Sequence, residues 1–229
     1  MRIVLDSLIE GAERASGIAV IIDVFRAFTV EAVAFQRGAK KIILVSTPQE
    51  AISLRQNGIV DLCVGELHGR RPDGFDFNNS PYEISQTDLN GKTLAHSTMA
   101  GTVGVNAARN ADLVYVASLV IARATADVIL RDSPELVTIV AMGDAGKDRT
   151  DEDEQCALYI RNLLEGRQPD SQAVRSVIMS GNHSAKYEDP AQPHFHPEDR
   201  RAALEIDSAS FAIRVLREEG TLVAQPVRL

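Results

Sequence analysis

The chain has 229 residues, 45% of them hydrophobic, and a formal net charge of -8 from 32 acidic and 24 basic residues. This size and composition allow a sizeable buried core and exclude a disordered chain. A general nucleic-acid binder needs clustered positive charge, so we expect no nucleic acid partner.

No apolar run reaches the length of a membrane span, and the N-terminus lacks the basic and then apolar order of a signal peptide. These features predict a cytoplasmic protein with no membrane partner. The two cysteines, Cys63 and Cys156, form no CxxC pair, and we interpret them as buried reduced thiols.

Apolar runs alternate with segments of helical period, which predicts an α/β fold with a mostly parallel sheet covered by helices. Most runs are apolar throughout, as expected for strands covered on both faces. The predicted strands are 17–24, 41–45, 62–64, 93–97, 113–116, 136–141 and 221–227. The predicted helices are 29–38, 48–57, 101–110, 120–131, 150–165 and 198–219, the last with a break near Asp207.

Two helix starts are well marked: 47–50 and 80–83 each place a hydroxyl at the N-cap, proline next and glutamate third. The polar, proline-containing segment 180–197 predicts a long excursion, or a boundary between two closely packed lobes. We otherwise expect a single domain over 1–229.

The first candidate site follows the strand 17–24. Asp23 is placed to bind a metal, and Arg26 to make a two-pronged contact with a phosphate or carboxylate. An Asp23–Arg26 ion pair that ties the turn together, with Thr29 capping the next helix, explains the pattern equally well.

The second candidate is the long loop 65–81, which leaves the end of a predicted strand. Glu66 and Asp76 are hard oxygen ligands suited to magnesium, and Arg70 and Arg71 are placed to attract an anion. The alternative is a solvated loop. Capping alone explains Ser80, although the free N–H groups at that helix start can also bind an anion.

Two further turns carry polar groups at strand ends. The turn 96–102 offers hydroxyls, including Ser97 and Thr98, and backbone N–H groups to a phosphate, but ordinary capping and a core histidine at 96 explain it as well.

In the segment 143–154, Asp144 ends a strand and is a further candidate, whereas the acidic residues 151–154 also suit a first helical turn. The segment is no P-loop, since residue 141 is alanine and residue 148 aspartate. The 194–196 histidine pair lacks further ligands at zinc spacing, which favours a solvated loop.

The motifs at 22–29, 65–81 and 101–102, in this order and spacing, resemble the 2-phosphosulfolactate phosphatase family. The segment at 143–153 is similar to a fourth block of the family, and 206–212 loosely so. The resemblance implies an α/β fold and magnesium-dependent hydrolysis of 2-phosphosulfolactate to sulfolactate and phosphate, in coenzyme M biosynthesis. The residues that match directly are Asp23, Arg26, Glu66, Gly74, Asp76, Asn79, Ser80, Gly101, Thr102, Glu152 and Asp153.

The chain departs from the family pattern at three positions. Leu67 and His68 stand where the family usually has arginine and asparagine, and Ala100 replaces an asparagine. Losing such groups from an anion site costs roughly 1.5–3 kcal/mol per charged hydrogen bond if nothing replaces them. We hypothesise that Arg70, Arg71 or His68 compensates.

The leading hypothesis from the sequence is a magnesium-dependent phosphatase acting on a small anionic organic phosphate. Its metal would be bound by Asp23, Glu66 and Asp76, with Asp144 or Asp153. Its phosphate would contact Arg26, Asn79, Ser80, Ser97, Thr98, Gly101 and Thr102. The alternatives are a non-catalytic binder of an anionic metabolite and a structural role in an oligomer, and a homo-oligomer is left open.

Overall fold

The computed structural model describes residues 1–218 and 220–228. Within these residues, ten α-helices cover one sheet of ten strands. The strands are β1 (Arg2–Ser7), β2 (Gly17–Ile22), β3 (Lys41–Val45), β4 (Leu62–Gly65), β5 (Phe77–Asn78), β6 (Thr93–Ser97), β7 (Ala111–Ala117), β8 (Leu136–Ala141), β9 (Phe211–Glu218) and β10 (Thr221–Arg228). The helices are α1 (Leu8–Arg14), α2 (Ala27–Gln36), α3 (Pro48–Gln56), α4 (Pro81–Ser85), α5 (Gly101–Ala107), α6 (Ala122–Asp132), α7 (Asp151–Leu164), α8 (Ser171–Ser180), α9 (Asn182–Ala185) and α10 (Pro197–Ala203).

The order of the strands in the sheet is β1-β8-β2-β7-β9-β10-β3-β6-β4-β5. The first four strands in this order are parallel to one another, and so are the last four. Between the two parallel groups lie β9 and β10, which are antiparallel to each other. The predicted α/β fold with a mostly parallel sheet is therefore confirmed.

The carboxyl ends of the two parallel groups meet at one place. The antiparallel pairings of β7 with β9, β9 with β10 and β10 with β3 make the two groups run in opposite directions. In a flat sheet their carboxyl ends would lie at opposite edges. Yet the backbone N–H of Gly101, just after β6, donates to Asp23, just after β2, over 3.0 Å. The sheet is therefore not flat, and residues from both groups line a common cleft.

The strand cores are buried on both faces of the sheet. In β2, Ile18, Val20 and Ile22 belong to one hydrophobic cluster, whereas Ala19 and Ile21 belong to another. Because alternate side chains of a strand point to opposite faces, each cluster packs on its own side of the sheet. This explains why the strand is apolar throughout.

Both marked helix starts form as the sequence predicts. The hydroxyl of Thr47 accepts from the N–H of Glu50 at 3.3 Å, and that of Ser80 accepts from the N–H of Glu83 at 3.1 Å. Proline occupies the first turn of both α3 and α4. These local signals fix where each helix begins.

One predicted helix is in part a strand. The segment 198–219 contains α10 and then β9, while Glu219 lies outside the described residues. Phe211, Ile213 and Val215 pack into the core at a spacing of two residues, and β9 pairs with β10 over eight residues. The prediction was wrong because the buried residues of this segment recur at every second position, which is typical of a strand, and not at the spacing of a helix.

The sequence analysis also missed several elements: β1, α1, β5, α8 and α9. The polar segment 180–197 contains α9 and a 3₁₀ helix, Lys186–Glu188, and contributes residues to the cleft. In the part of the chain that the structure describes, no helix is both long and apolar enough to cross a membrane.

Candidate active site

A cavity of about 530 Å³ lies in the cleft where the strand ends meet. Its lining contains both acidic and basic side chains. The part that we call the acidic wall consists of Asp23, Glu66, Asp144, Glu152 and Asp153. The part that we call the basic side consists of Arg26, His68, His183 and Lys186.

Asp23 lies at the centre of the acidic wall and is held by two backbone N–H groups. One carboxylate oxygen accepts from Ala27 and the other from Gly101, both at 3.0 Å. A Cβ at Gly101 would lie 3.0 Å from Asp23 Oδ2, so glycine permits this close approach. Burial raises the pKa of Asp23 to about 6. The hydrogen bond from Ala27 lowers this pKa, whereas the charge of the nearby Glu66 carboxylate raises it.

Asp153, in the first turn of α7, is held in the same way. Its two oxygens accept from the N–H groups of Val24 at 2.7 Å and Gly143 at 2.8 Å. Burial raises the pKa of Asp153 well above its usual value, and the charges of Asp23 and Glu152 raise it further. Burial raises the pKa of the neighbouring Glu152 as well. Asp23, Glu152 and Asp153 thus concentrate like charges away from water, an arrangement that a cation would relieve.

Glu66 joins this wall from the second parallel group. Its oxygens accept from the N–H groups of Gly69 and Met99, each at 2.8 Å. The side chains of Asp23, Glu66 and Asp153 are therefore fixed by backbone contacts from loops after four different strands.

The donor set of the acidic wall fits a hard divalent cation. Each oxygen of Asp23, Glu66 and Asp153 accepts a single backbone hydrogen bond, which leaves it further acceptor capacity. Within residues 1–218 and 220–228, no three acidic, histidine or cysteine side chains are placed to bind one ion together. Magnesium, which keeps several waters and uses one or two carboxylates, is compatible with this spacing.

Arg26 is buried and pairs with Asp199, 2.9 Å away, rather than with Asp23. It also donates to the carbonyl oxygens of His194 and Gly69 and lies over the ring of Phe195, 4.9 Å from its centre. The charge of the guanidinium is therefore balanced inside the protein. At the cavity, Arg26 contributes N–H donors more than net positive charge.

Asp199 also occupies the start of α4. Its Oδ1 accepts from the Ser80 hydroxyl at 2.6 Å and from the N–H of Tyr82 at 3.0 Å. The anion at this helix start is thus a side chain of the protein. Ser80 is enclosed and does not line the cavity.

The turn after β6 directs most of its polar groups to the protein. The N–H of Gly101 donates to Asp23, and the N–H of Thr102 donates to the Thr98 hydroxyl at 3.2 Å. The hydroxyl of Thr102 donates in turn to the Thr98 carbonyl. Ser97, Thr98 and Thr102 are buried and do not line the cavity; Ala100 does.

Asp76 lies apart from the other predicted metal ligands. It pairs with Arg55 at 2.6 Å and accepts from the N–H of Cys63, and it does not line the cavity. The chain after Phe75 turns Asp76 back towards β4, whose backbone it binds. Asp144, by contrast, is exposed and lines the cavity.

Of the residues proposed to compensate for the missing arginine and asparagine, one reaches the cavity. His68 lines it, whereas Arg70 and Arg71 are exposed and do not. Arg71 donates to the carbonyl of Asp76. A tight turn at His68 and Gly69, both with positive φ, directs the loop in this way.

Sequence reasoning missed the contribution of the segment 182–199. Lys186, His183 and Phe195 line the cavity, and Asp199 neutralises Arg26. The ammonium of Lys186 lies 4.7 Å from the centre of the Phe195 ring. The only signal was a polar stretch rich in basic and aromatic residues, and no motif spacing marks these positions. His196 instead caps α10 and stacks on Tyr82.

These features define the chain as an α/β protein with a polar, charged pocket at the carboxyl ends of its strands, the usual place for a small-molecule site. The model of the 2-phosphosulpholactate phosphatase family matches residues 4–199. The chain belongs to this family.

Similar proteins carry the corresponding name. A probable 2-phosphosulfolactate phosphatase of Bacillus subtilis is 35% identical over 202 residues, which is 87% of each chain. One from Clostridium perfringens is 38% identical over 151 residues, 64% of this chain and 60% of that one. One from Thermoplasma acidophilum is 31% identical over 151 residues, which is 66% of this chain and 67% of that one. Family and names support a phosphatase.

Proposed function

We propose that this protein is a magnesium-dependent phosphatase that hydrolyses 2-phosphosulfolactate or a related phosphorylated hydroxy acid. The observation that carries the proposal is a single cavity lined both by the carboxylates of the acidic wall and by the side chains of the basic side. A phosphate ester with a second acid group, together with a divalent cation, complements both parts. With 2-phosphosulfolactate as substrate, the protein would act in coenzyme M biosynthesis.

One or two of the carboxylates of Asp23, Glu66 and Asp153 would bind the magnesium directly, and the others would bind it through water, with Glu152 and Asp144 nearby. The ion would neutralise the phosphoryl oxygens as a Lewis acid. The backbone N–H groups that hold the three carboxylates keep them in place before any ligand arrives. This preorganisation spares the site the reorientation of charged groups during the reaction.

The remaining lining residues would bind the substrate. The Asn79 amide and the free N–H groups of Arg26 are suited to donate to phosphoryl oxygens. Lys186, which lines the cavity, would meet the second acid group of the substrate. Attack on phosphorus could then come from a carboxylate or from a water. Trapping an acyl-phosphate by rapid acid quench would favour the carboxylate.

Phosphate release from a panel of organic phosphates, with and without magnesium, tests the proposal. We expect release only with magnesium, and a loss of at least about a hundredfold in Asp23→Asn. The matched control is Asp112→Asn, an exposed aspartate on β7 that does not line the cavity. Magnesium-independent release, or full activity of Asp23→Asn, would contradict the proposal.

A second candidate is a non-catalytic binder of a small anionic metabolite. The observation that favours it is Ala100, which lines the cavity where the family pattern has an asparagine amide. This candidate predicts no turnover of any organic phosphate, with a preserved thermal shift on ligand addition. The same panel therefore separates the two functions.

A further inference from the structure

Beneath the cavity, three buried side chains form a hydrogen-bonded row from a helix to the cavity lining. Glu31 of α2 lies 3.0 Å from Nδ1 of His96, and Nε2 of His96 lies 3.2 Å from Oδ1 of Asn79. Glu31 and His96 are 0% and 1% exposed. Asn79 lines the cavity. The acidic wall and the basic side include neither Glu31 nor His96.

The position of His96 is fixed by the sheet. It lies in β6 between two parallel neighbours, opposite Leu44 of β3 and Val64 of β4. The backbone N–H of Asn79 donates to Oδ1 of Asn78 at 2.8 Å, which restrains the other end of the row. The row is therefore built into rigid elements at both ends.

Burial determines where the protons of this row lie. If Glu31 were ionised beside a neutral His96, the protein would hold an uncompensated charge in its interior, at a cost of several kcal/mol. A neutral Glu31 with its proton on Oε2 would bury a hydroxyl without an acceptor, because this oxygen has no hydrogen-bond partner within the described residues. Two arrangements avoid both the charge and the unpaired donor. Either Glu31 is protonated and donates to Nδ1, or His96 is protonated on both nitrogens and pairs with ionised Glu31.

In both of these arrangements Nε2 of His96 carries a proton. Burial raises the pKa of Glu31, which favours the first arrangement. A protonated Nε2 donates to Oδ1 of Asn79, so the amide group is oriented with its NH₂ away from His96. Within the described residues this NH₂ donates no hydrogen bond to the protein, and the residue lines the cavity.

We propose that Glu31 and His96 are positioning residues that hold the Asn79 amide with its two N–H donors towards the cavity, where they bind an oxygen of a tetrahedral oxyanion such as a phosphoryl group. The identity of that oxyanion as a substrate phosphoryl group rests on the proposed function. The orientation itself does not. Without the contact to His96, the amide could flip and present its carbonyl oxygen to the anion, and the carbonyl would repel it.

Nitrogen NMR of the protein labelled with ¹⁵N-histidine tests the orientation directly. The signals of His96 are assigned by their loss in His96→Gln. We expect a protonated Nε2 in the free protein and in the presence of inorganic phosphate, with its shift changing as phosphate binds. An unprotonated Nε2 overturns the proposal, and this measurement needs only the wild-type fold and no turnover.

A double-mutant cycle on the affinity for inorganic phosphate tests the coupling. Asn79→Ala and His96→Leu should each weaken binding about tenfold, the loss of one hydrogen bond to a charged group, and together they should lose little more. Glu31→Met should show the same non-additivity with Asn79→Ala. Additive losses, or no phosphate binding to the wild type, overturn the proposal. If phosphate binds with the expected coupling but no ester is hydrolysed, the proposed function fails while the positioning role stands.

Discussion

Arg26 and Asp199 are 173 positions apart in the chain and form an ion pair of 2.9 Å, with side chains only 2% and 0% exposed. The pair joins the turn after β2 to α10. Asp199 at the same time binds the start of α4 through Ser80 and Tyr82. A single carboxylate thus connects three segments around the cavity.

Removing Asp199 should strongly destabilise the fold. We expect Asp199→Ala to lower the free energy of unfolding by about 3–5 kcal/mol, because it leaves the Arg26 charge buried without a partner. Urea unfolding followed by circular dichroism measures this. The control is Glu198→Ala, whose partner Arg201 is mostly exposed, and which should lose no more than about 1 kcal/mol. Equal losses of unfolding free energy in the two variants would show that the buried ion pair stabilises the fold no more than the exposed one.

Stability in the absence of divalent cations should fall as the pH rises from about 4 to about 6. In the folded protein the pKa of Asp23 is about 6, raised above its usual value of 3.8. Its buried form therefore favours the protonated state, and folding becomes less favourable as Asp23 ionises through this window. Asp153, whose pKa is also raised, acts in the same direction.

Magnesium should offset this loss. A cation that binds the ionised acidic wall stabilises only the folded protein, so the rise in Tm on adding magnesium should be larger at about pH 8 than at about pH 5. Thermal unfolding across this range, with and without magnesium, measures the effect. Glu66→Gln should reduce the rise, and Asp112→Asn should not. A rise independent of pH would place the bound cation elsewhere.

The position of Asp76 predicts that it contributes little to metal binding. We expect Asp76→Asn to keep the wild-type affinity for magnesium, because its carboxylate is bound to Arg55 and the N–H of Cys63 outside the cavity. Glu66→Gln, by contrast, should weaken magnesium binding about tenfold through loss of one charge on the acidic wall. Isothermal titration calorimetry compares the two. Weaker magnesium binding by Asp76→Asn would show that Asp76 contributes to the metal site, as the sequence predicts.

Lys186 should determine the preference for substrates with a second acid group. We expect Lys186→Gln to lower kcat/KM about tenfold for a phosphate ester that carries a neighbouring sulfonate or carboxylate, and to leave a simple alkyl phosphate unaffected. Lys147→Gln, an exposed lysine that does not line the cavity, is the control. An equal loss on both substrates would exclude recognition of the second acid group by Lys186.

The sequence alone predicted those parts of the structure that depend on local contacts. The apolar runs became buried strands, and the hydroxyl, proline and glutamate order at 47–50 and 80–83 gave helix starts with the expected hydrogen bonds. Such features form from residues within a few positions of each other, so a single segment carries their signal. The motifs at 22–29 and 65–81 likewise indicated the family.

Predictions from local sequence were wrong where a segment suits both a helix and a strand, or where the partner of a side chain lies far away in the chain. The sequence of residues 211–218 suits a helix or a strand. The segment forms a strand because it pairs with β10 in the centre of the sheet. The alternative pairing of Arg26 with Asp23 looked equally good in the sequence, but Asp199 lies at 2.9 Å after the chain has folded.

The tertiary structure alone decided which polar residues share the cavity. Asp23, Glu66 and Asp153 line one cavity because the carboxyl ends of two opposed strand groups meet at one cleft. Asp76, only ten positions after Glu66, turns away to Arg55. Chain spacing determines what residues a segment offers, whereas the direction in which each side chain points depends on strands and helices packed from distant parts of the chain.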